Sequence, residues 1–239
     1  MDQPGKSNGD GFGLVILPAA ALAARLMTIY QCLLDHFGPR HWWPAETPFE
    51  VVVGAILTQN TAWRNVEYAI ANLRGAGALT PAAVLALGPS ELEILVRPAG
   101  FFRQKTARLQ GLVRYLRDRH EGDLQGWLKQ PLAALRTELL SLPGIGPETA
   151  DSILLYAGGR PSFVVDAYTR RLFGRLGLLT GVEPYDQIRA LFMGALPAEV
   201  ALFNEYHALI VAECKSYCRK TPLCRSCPLF QHCPAAQPT

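Results

Sequence analysis

The sequence contains 239 residues, of which 49% are hydrophobic, and its formal net charge is +3. A chain of this length can bury a sizeable core, either as one large domain or as two small ones. Its longest apolar stretch, residues 13–26, is too short for a bilayer and is interrupted by Pro18 and Arg25, so no membrane partner is expected. The weakly basic charge is compatible with nucleic-acid binding but far from diagnostic of it.

The two ends of the chain differ in composition. Residues 1–10 carry one lysine and two aspartates and lack the pattern of a signal peptide, so residues 1–12 are predicted to form a flexible tail. Five of the six cysteines lie between residues 214 and 233, which is not the distribution of a secreted disulfide framework. We therefore expect a cytoplasmic protein, associated with the nucleoid if the source is bacterial.

Hydrophobic periodicity and capping residues predict helices along most of the chain, which indicates an all-α fold. The predicted helices span about residues 18–37, 48–59, 62–73, 101–120, 131–140, 147–157, 167–176, 184–195 and 198–214, with two short helices begun by Thr80 and Ser90. Thr61 is predicted to cap the helix that follows it. Residues 51–57 are apolar on every face, which predicts a buried central helix. The basic residues of helix 101–120, Lys105 among them, are predicted to face solvent slightly more readily than DNA phosphate.

Residues 142–151 predict a helix–hairpin–helix. Pro143 restricts one backbone dihedral, Gly144 and Gly146 permit a tight turn, and Pro147 suits the first position of the next helix. Such a turn leaves backbone N–H groups unpaired beside a helix N-terminus, which predicts an anion site that can bind a phosphate without reading base sequence. An ordinary glycine-rich joint between two helices is the alternative.

Asp166 is the candidate reactive group. It follows a short extended run, residues 162–165, and precedes a helical start, so an N-cap role alone could explain it. The apolar residues before Asp166 also predict that its carboxylate lies at the N-terminus of a helix, close to a hairpin that could bind DNA. We expect it to be ionised, as a stabiliser of developing positive charge or as an activator of water.

The sequence LPGIGPETAD at residues 142–151, followed by VVDAYTRRL at residues 164–172, resembles the signature of the endonuclease III superfamily of DNA glycosylases. The likeness extends from about Leu17 to Cys233. It implies a two-domain helical glycosylase fold: a six-helix barrel over residues 45–160, and an iron–sulfur cluster domain formed by residues 13–44 and 161–239. It further implies a monomer that binds damaged DNA in the cleft between the domains. The phosphate contacts implied by the resemblance are Gly144, Ile145, Gly146, Thr149 and Arg170.

Four cysteines follow the pattern C-x5-C-x2-C-x5-C: Cys218, Cys224, Cys227 and Cys233. Four soft thiolates this close together allow either zinc or an iron–sulfur cluster, and their spacing leaves the two about even. The resemblance implies a [4Fe–4S] cluster, although the first interval is five residues here and six in the familiar pattern. Cys214 is a nearby spare that is predicted to lie on the preceding helix.

Removing a base from a duplex requires a wedge that fills the gap and a pocket that stacks on the flipped base. The resemblance implies a wedge at Gln59 or Asn60. Trp42 and Trp43 form an aromatic pair that is either a stacking wall for the base or a lid on the core. Trp63 is predicted to be a packing residue.

Two departures from endonuclease III indicate a branch of the superfamily. The position of the lysine that forms a Schiff base in bifunctional members is occupied by Glu148, so a monofunctional glycosylase is predicted. Tyr168 stands where endonuclease III usually has a histidine, and it is a further candidate for the base pocket. Together, Tyr168 and the Trp-Trp-Pro loop make the sequence resemble the branch that includes the type III 3-methyladenine DNA glycosylases.

Alkylated bases are therefore the leading substrate class, because tryptophans suit a cationic ring. Oxidised pyrimidines, with or without weak lyase activity at abasic sites, are the alternative. Two further possibilities are a non-catalytic helix–hairpin–helix DNA-binding protein and a cysteine-rich zinc protein, and the matched position of Asp166 argues against the first of these.

Overall fold

The computed structural model describes residues 18–237, so the predicted tail at residues 1–12 lies outside the described part. Regular structure within residues 18–237 is entirely helical, which confirms the all-α fold. The segment 162–165 is extended but unpaired. The α-helices are α1 (Ala19–Phe37), α2 (Pro48–Leu57), α3 (Trp63–Gly75), α4 (Pro81–Ala86), α5 (Pro89–Val96), α6 (Phe102–His120), α7 (Leu124–Leu128), α8 (Leu132–Ser141), α9 (Pro147–Ser152), α10 (Ala167–Arg175), α11 (Tyr185–Ala195) and α12 (Val200–Ser216). Among these residues, no helix has the length and apolar character needed to cross a membrane.

Local capping explains where several helices begin. The Thr47 hydroxyl accepts a hydrogen bond from the Glu50 backbone N–H at 3.1 Å, and Thr80 caps α4 in the same way. The Thr61 cap was wrongly predicted, because its hydroxyl accepts from the Asn65 side chain instead and Ala62 is the N-cap of α3. Helix α5 begins after Gly88 rather than at Ser90.

Helix α7 was missed by the periodicity analysis because it has only five residues. Asp123 caps it by accepting a hydrogen bond from the Gly126 backbone N–H at 2.9 Å. The helix contributes two buried side chains to the core, Trp127 and Leu128. Such a short element carries too few apolar positions to show a helical period.

The first hydrophobic core surrounds α2, whose residues from Phe49 to Leu57 are all buried. The predicted central helix is thereby confirmed. Val52, Val53, Ile56 and Leu57 are completely inaccessible to solvent. Burial of each such side chain contributes roughly 1.5–3 kcal/mol to the free energy of unfolding. Helices α3 to α9 supply the rest of this core.

Lys105 of α6 departs from the predicted solvent-facing pattern, because it is fully buried. Its ammonium group donates to the carbonyl oxygens of Leu57 at 2.8 Å and Ala99 at 2.7 Å. Burial, and then the charge of Arg108, lowers the Lys105 pKa to about 8. Lys105 therefore satisfies a carbonyl at the end of α2 and attaches that end to the start of α6.

The second core is rich in aromatic residues and joins the two ends of the described chain. Phe163 stacks on Phe192 with ring centroids 4.1 Å apart, and Tyr206 packs edge-on against both rings. The Tyr206 hydroxyl donates to the Leu26 carbonyl oxygen at 2.7 Å, so α12 is attached to α1. Helices α10 and α11 complete this core.

The two cores meet at a single π-helical turn, Ile153–Ala157, which continues α9. Leu154 packs in the first core and Leu155 in the second. Beside this turn, the buried carboxylate of Asp151 accepts hydrogen bonds from Arg136 of α8 and lies 3.1 Å from the guanidinium of Arg189 in α11. The Asp151 contacts therefore bind the hairpin to the second core. The division into two domains stays a prediction.

Candidate active site and cysteine loop

The hairpin between α8 and α9 has the tight geometry that its glycines predict. Gly144 has a φ of +83°, and a Cβ atom there would lie 2.3 Å from Nε of Arg108. Gly146 is the N-cap of α9, and Pro147 occupies its first turn. Ile145 is buried, and its backbone N–H donates to the Leu142 carbonyl at 3.1 Å, so this N–H is already used.

Beside the hairpin lies a cleft of about 440 Å³. It brings together the wedge candidates, the hairpin and the residue at the lysine position. The lining residues are Ala55, Thr58, Gln59, Asn60, Arg108, Gly144, Gly146, Pro147, Glu148, Thr149, Ser152 and Tyr185. Arg108 is one of the basic residues of helix 101–120 that were predicted to face solvent slightly more readily than phosphate. Tyr185 was not identified from the sequence, since it belongs to no recognisable motif.

The two wedge candidates differ in how tightly they are bound to the protein. The Gln59 amide nitrogen donates to the Gly144 carbonyl at 3.0 Å and to the Thr149 hydroxyl at 2.9 Å. Its amide oxygen accepts from the Arg108 guanidinium. Asn60 is exposed and has a φ of +53°. Gln59 is therefore part of the hairpin's support, whereas Asn60 projects from the end of α2.

Asp166 is the N-cap of α10, with 14% of its side chain exposed. Its Oδ1 accepts from the Thr169 backbone N–H at 2.7 Å and from the Thr169 hydroxyl at 3.0 Å. Its Oδ2 lies 3.5 Å from Nε2 of His207. Burial raises the Asp166 pKa, but His207 and the Thr169 donors outweigh it, and the net pKa is below the usual value. The carboxylate is therefore ionised near neutral pH.

The Asp166 side of the site extends through His207 and Tyr156, neither of which the sequence analysis identified. The Tyr156 hydroxyl lies 2.5 Å from Nδ1 of His207, and its ring centroid lies 5.0 Å from that of Trp43. These residues come from α12, the π-helical turn and the loop before α2. No short motif contains them, so no signal in the sequence could have connected them.

Trp42, Trp43 and Trp63 form one aromatic cluster, which we call the tryptophan wall. The Trp42 and Trp63 ring centroids are 5.3 Å apart, and Trp43 meets Trp63 edge-on at 5.0 Å. Gly54 allows the close approach of this wall to α2, because a Cβ atom there would lie 3.1 Å from the Trp43 ring. Trp63, predicted to be a packing residue, thus belongs to the same surface as the other two tryptophans.

Glu148 reaches solvent at the cleft, close enough to Asp166 for their charges to interact. Desolvation, followed by the negative charge of Asp166, raises the Glu148 pKa, while His207 and Arg170 lower it. The pKa of Glu148 is therefore higher than that of Asp166, so Asp166 is ionised and Glu148 is the more readily protonated of the two. A pair of this kind is typical of sites that handle protons.

Tyr168 and Arg170 are engaged in contacts with other parts of the protein. The Tyr168 ring packs against the second core, and the Arg171 guanidinium lies 5.1 Å from its centroid. Arg170 donates to the Glu183 carbonyl at 2.7 Å. Neither residue lines the 440 Å³ cleft, and their assigned contacts to base and phosphate stay predictions.

The four predicted ligand cysteines line one cavity after α12. Cys218 Sγ accepts from the Arg175 guanidinium at 3.2 Å. A hydrogen bond from Cys214, together with Arg175 and Arg171, lowers the Cys218 pKa to about 6 against the opposing effect of burial. Burial and then Glu213 raise the Cys227 pKa. The thiolate form of Cys218 is therefore favoured, whereas that of Cys227 is not.

The four sulfurs are not drawn together around a common point. Within residues 18–237, no three His, Cys, Asp or Glu side chains converge at metal-binding distances. The Sγ of Cys214, the spare, lies 3.5 Å from the Tyr168 carbonyl oxygen. Four soft donors around one cavity nevertheless fit a thiolate-bound centre in their chemistry.

Comparisons with known proteins identify a family for this chain. Residues 53–198 match the HhH-GPD family, described as the HhH-GPD superfamily of base excision DNA repair proteins. A candidate DNA repair glycosylase of Methanocaldococcus jannaschii is 49% identical over 197 residues, which cover 82% of this chain and 89% of that protein. Endonuclease III of Thermotoga maritima is 31% identical over 144 residues, which cover 60% of this chain and 63% of that protein.

Solved structures share the fold. An endonuclease III in a non-covalent complex with DNA superposes with a TM-score of 0.77 at 24% identity, covering 90% of this chain and 96% of the other. The H. pylori 3-methyladenine DNA glycosylase bound to 1,N6-ethenoadenine gives a TM-score of 0.67 at 28% identity, covering 83% and 98%. On the family match and the extent of these likenesses, the chain belongs to the HhH-GPD superfamily of base excision DNA repair proteins and is a DNA glycosylase.

Proposed function

We propose that this chain is a monofunctional DNA glycosylase that flips an alkylated base and hydrolyses its N-glycosidic bond. The observation that carries the proposal is the tryptophan wall, which is joined to Asp166 through contacts of Trp43 with Tyr156 and of Tyr156 with His207. An aromatic surface connected to an ionised carboxylate suits a cationic leaving base. The likeness to the H. pylori 3-methyladenine DNA glycosylase supports the same substrate class.

In this mechanism the base contributes much of its own reactivity. Methylation of a purine ring nitrogen, as in 3-methyladenine, places positive charge on the ring, which stacks favourably on tryptophan and leaves without protonation. As the bond breaks, positive charge develops on the sugar, and the Asp166 carboxylate stabilises that charge or activates the attacking water. Asp166 remains available as an anion because Thr169 and His207 lower its pKa.

The residue at the lysine position supports hydrolysis without strand cleavage. Glu148 lines the cleft and carries no amine, so it cannot form a Schiff base with the sugar. Lys105, which binds the Leu57 carbonyl at the end of α2, is fully buried with its ammonium group bound to two carbonyl oxygens. That amine is not free to reach an opened sugar.

Two exposed side chains suit the role of wedges at the DNA surface. Asn60 follows α2, and Phe101, which is 62% exposed with a φ of +46°, precedes α6. The bond from Lys105 to the Leu57 carbonyl keeps the two loops adjacent. We propose that Asn60 and Phe101 enter the duplex while the hairpin of Gly144 and Gly146 binds the backbone.

The cysteine loop completes the proposal. Cys218, Cys224, Cys227 and Cys233 would bind a [4Fe–4S] cluster, which would cross-link the loop to the second core. Arg175 already donates to Cys218 Sγ and to the loop carbonyl of Arg219 at 2.7 Å. Metal analysis of purified protein distinguishes the cluster from zinc, because iron with acid-labile sulfide and a brown colour support the cluster.

The proposal is tested by single-turnover assays on three duplexes, which carry 1,N6-ethenoadenine, thymine glycol or uracil, and on dimethyl sulfate-methylated DNA. Each reaction is analysed with and without alkali. Release of alkylated bases, with strand breaks only after alkali, is the expected result. Nicking without alkali that borohydride traps would overturn the monofunctional assignment.

A second substrate class is favoured by the relatives named endonuclease III, such as that of Thermotoga maritima. Reaction with thymine glycol but not with alkylated DNA would select oxidised pyrimidines. Wild-type DNA binding with no base release on any of these substrates would instead favour a non-catalytic DNA-binding protein.

A further inference from the structure

We propose that His207 is a positioning residue for Asp166: the Tyr156 hydroxyl donates to Nδ1 of His207, and Nε2–H of His207 donates to Oδ2 of Asp166. This inference rests on the proposed function, in which Asp166 is the reacting carboxylate. It assigns a role to the buried His207 and the partly buried Tyr156, which belong to neither the hairpin nor the aspartate motif.

The hydrogen-bonding pattern around His207 selects one tautomer. Its Nδ1 lies 2.5 Å from the Tyr156 hydroxyl. Burial, then the negative charge of Asp166, raises the Tyr156 pKa well above its usual value, so this hydroxyl keeps its proton and can donate. A donor at Nδ1 leaves the imidazole proton on Nε2, because a neutral imidazole carries only one N–H.

The other ring nitrogen has one obvious partner. Within residues 18–237, Nε2 of His207 is buried without a full hydrogen bond, and Oδ2 of Asp166 lies 3.5 Å away. A buried N–H without a partner is costly, and hydrogen bonds in a catalytic site are often long until substrate binds. We expect this contact to shorten when DNA closes the cleft.

Asp166 needs this contact because its two oxygens have separate tasks. Oδ1 accepts both Thr169 donors, which satisfies the N-terminus of α10. Oδ2 is left as the oxygen that can act on the sugar or on water. A donor from His207 restricts the rotation of the carboxylate and favours its ionised form without occupying every lone pair of Oδ2.

The groups around His207 come from each element that packs against α12. Tyr156 belongs to the π-helical turn, Asp166 and Arg170 to the start of α10, and Glu148 to α9, while Tyr30 of α1 contacts the neighbouring Tyr206. Trp43 covers the Tyr156 ring. Tyr156 therefore touches the tryptophan wall on one side and the Asp166 pair on the other.

The test compares His207→Leu, His207→Gln and Tyr156→Phe with the wild type and Asp166→Asn. His120→Leu is the matched control, because Nε2 of His120 contacts the Glu138 carboxylate at 2.8 Å in the first core, away from the cleft. The readouts are DNA affinity, thermal unfolding and the single-turnover rate of base release between pH 4 and pH 9. The probe is methylated duplex DNA, or the thymine glycol duplex if only that is processed.

We expect His207→Leu to lower the rate by about 10- to 100-fold, by analogy with the loss of hydrogen-bond partners that orient metal-binding side chains. The pH at which activity falls on the acid side should rise, because Asp166 loses a group that favours its charged form. His207→Gln should restore part of the rate through its amide donor, and Tyr156→Phe should give a smaller loss. DNA affinity should be unchanged, and His120→Leu should match the wild type.

Nitrogen-15 NMR of the histidines reports the tautomer of His207 directly in the wild-type protein, and the variants serve only to identify its signal. The His207 signal, identified by its absence in His207→Gln or in a second substitution at that site, should show the proton on Nε2 and a bare Nδ1. The opposite tautomer would overturn the inference.

The outcomes separate the inference from the proposed function. If Asp166→Asn is inactive but a folded His207→Leu keeps the wild-type rate and pH profile, the inference fails and the function stands. If His207→Leu weakens DNA binding alone, His207 is a substrate contact and the inference fails. If Asp166→Asn retains full turnover, or no probe is processed by the wild type, the proposed function fails and the inference fails with it.

Discussion

The two sides of the site are built by different means. On the hairpin side, the positions of Gly144, Gly146 and Pro147 follow from backbone preferences within a few residues, and Gln59 attaches the turn to α2. On the Asp166 side, the decisive contacts join residues 156, 166 and 207, which are remote in sequence. In the proposed function, DNA binding therefore depends on local geometry, whereas the chemistry depends on tertiary packing.

The largest expected effect is on the Asp166 side. Asp166→Asn should reduce the single-turnover rate of base release by about 10²–10³-fold, the usual loss when one stabiliser of transition-state charge is removed. Asparagine is also a good N-cap, so α10 and DNA affinity should be preserved. Rates on methylated duplex DNA and binding by fluorescence anisotropy check this. A loss of affinity equal to the loss of rate would show that the two sides are not separable.

Replacing Glu148 by lysine tests whether this position on the hairpin side can form a Schiff base with the sugar. Glu148→Lys should raise borohydride-trapped complex with abasic-site DNA by about tenfold or more over wild type, because a lysine there can form a Schiff base. Glu148→Gln is the control, since it removes the charge without adding an amine. Equal trapping in all three proteins would show that this position does not reach the sugar.

Gly144→Ala should damage binding without changing the reaction of bound DNA. A non-glycine residue at φ +83° costs about 1–3 kcal/mol, and its Cβ would also collide with Arg108. We expect about tenfold weaker DNA binding, because the hairpin N–H groups are displaced.

Gly77→Ala is the matched control for this substitution. Gly77 has a φ of +66°, but its Cβ would meet nothing within 4 Å. It should lose stability in chemical denaturation and keep its DNA affinity. If both variants bind DNA as the wild type does, the hairpin is not the phosphate site.

Lys105→Met gives the smallest expected change in activity and a clear change in stability. Losing charge-assisted bonds to Leu57 and Ala99 should cost about 2–4 kcal/mol at pH 7. In the wild type the Lys105 pKa is lowered to about 8, so between pH 8 and the unfolded pKa of 10.5 the unfolded chain binds more protons than the folded one. The stability of the wild type relative to Lys105→Met should therefore rise across that window in urea titrations. A constant difference would show that Lys105 titrates normally.

Some features of the site were predictable from neighbouring residues. The glycine and proline positions predicted the hairpin, Asp166 was recognised as an N-cap, and apolar residues 51–57 predicted the buried α2. Each depends on interactions within one or two turns of chain, which sequence patterns record directly. The failures at Thr61 and Ser90 were also local, because several polar residues near a helix start compete to cap it.

Tertiary structure decided what these local features do together. Lys105 lies on the buried face of α6 with Leu109 and Leu112, and its ammonium group is accommodated there because the end of α2 presents a carbonyl to it. Trp63 joins the tryptophan wall because α3 packs beside α2 in the first core, and His207 meets Asp166 because α12 packs against α10 in the second. The reason is physical: a backbone preference is a property of adjacent residues, whereas a buried polar side chain takes whichever partner packing brings within hydrogen-bonding distance.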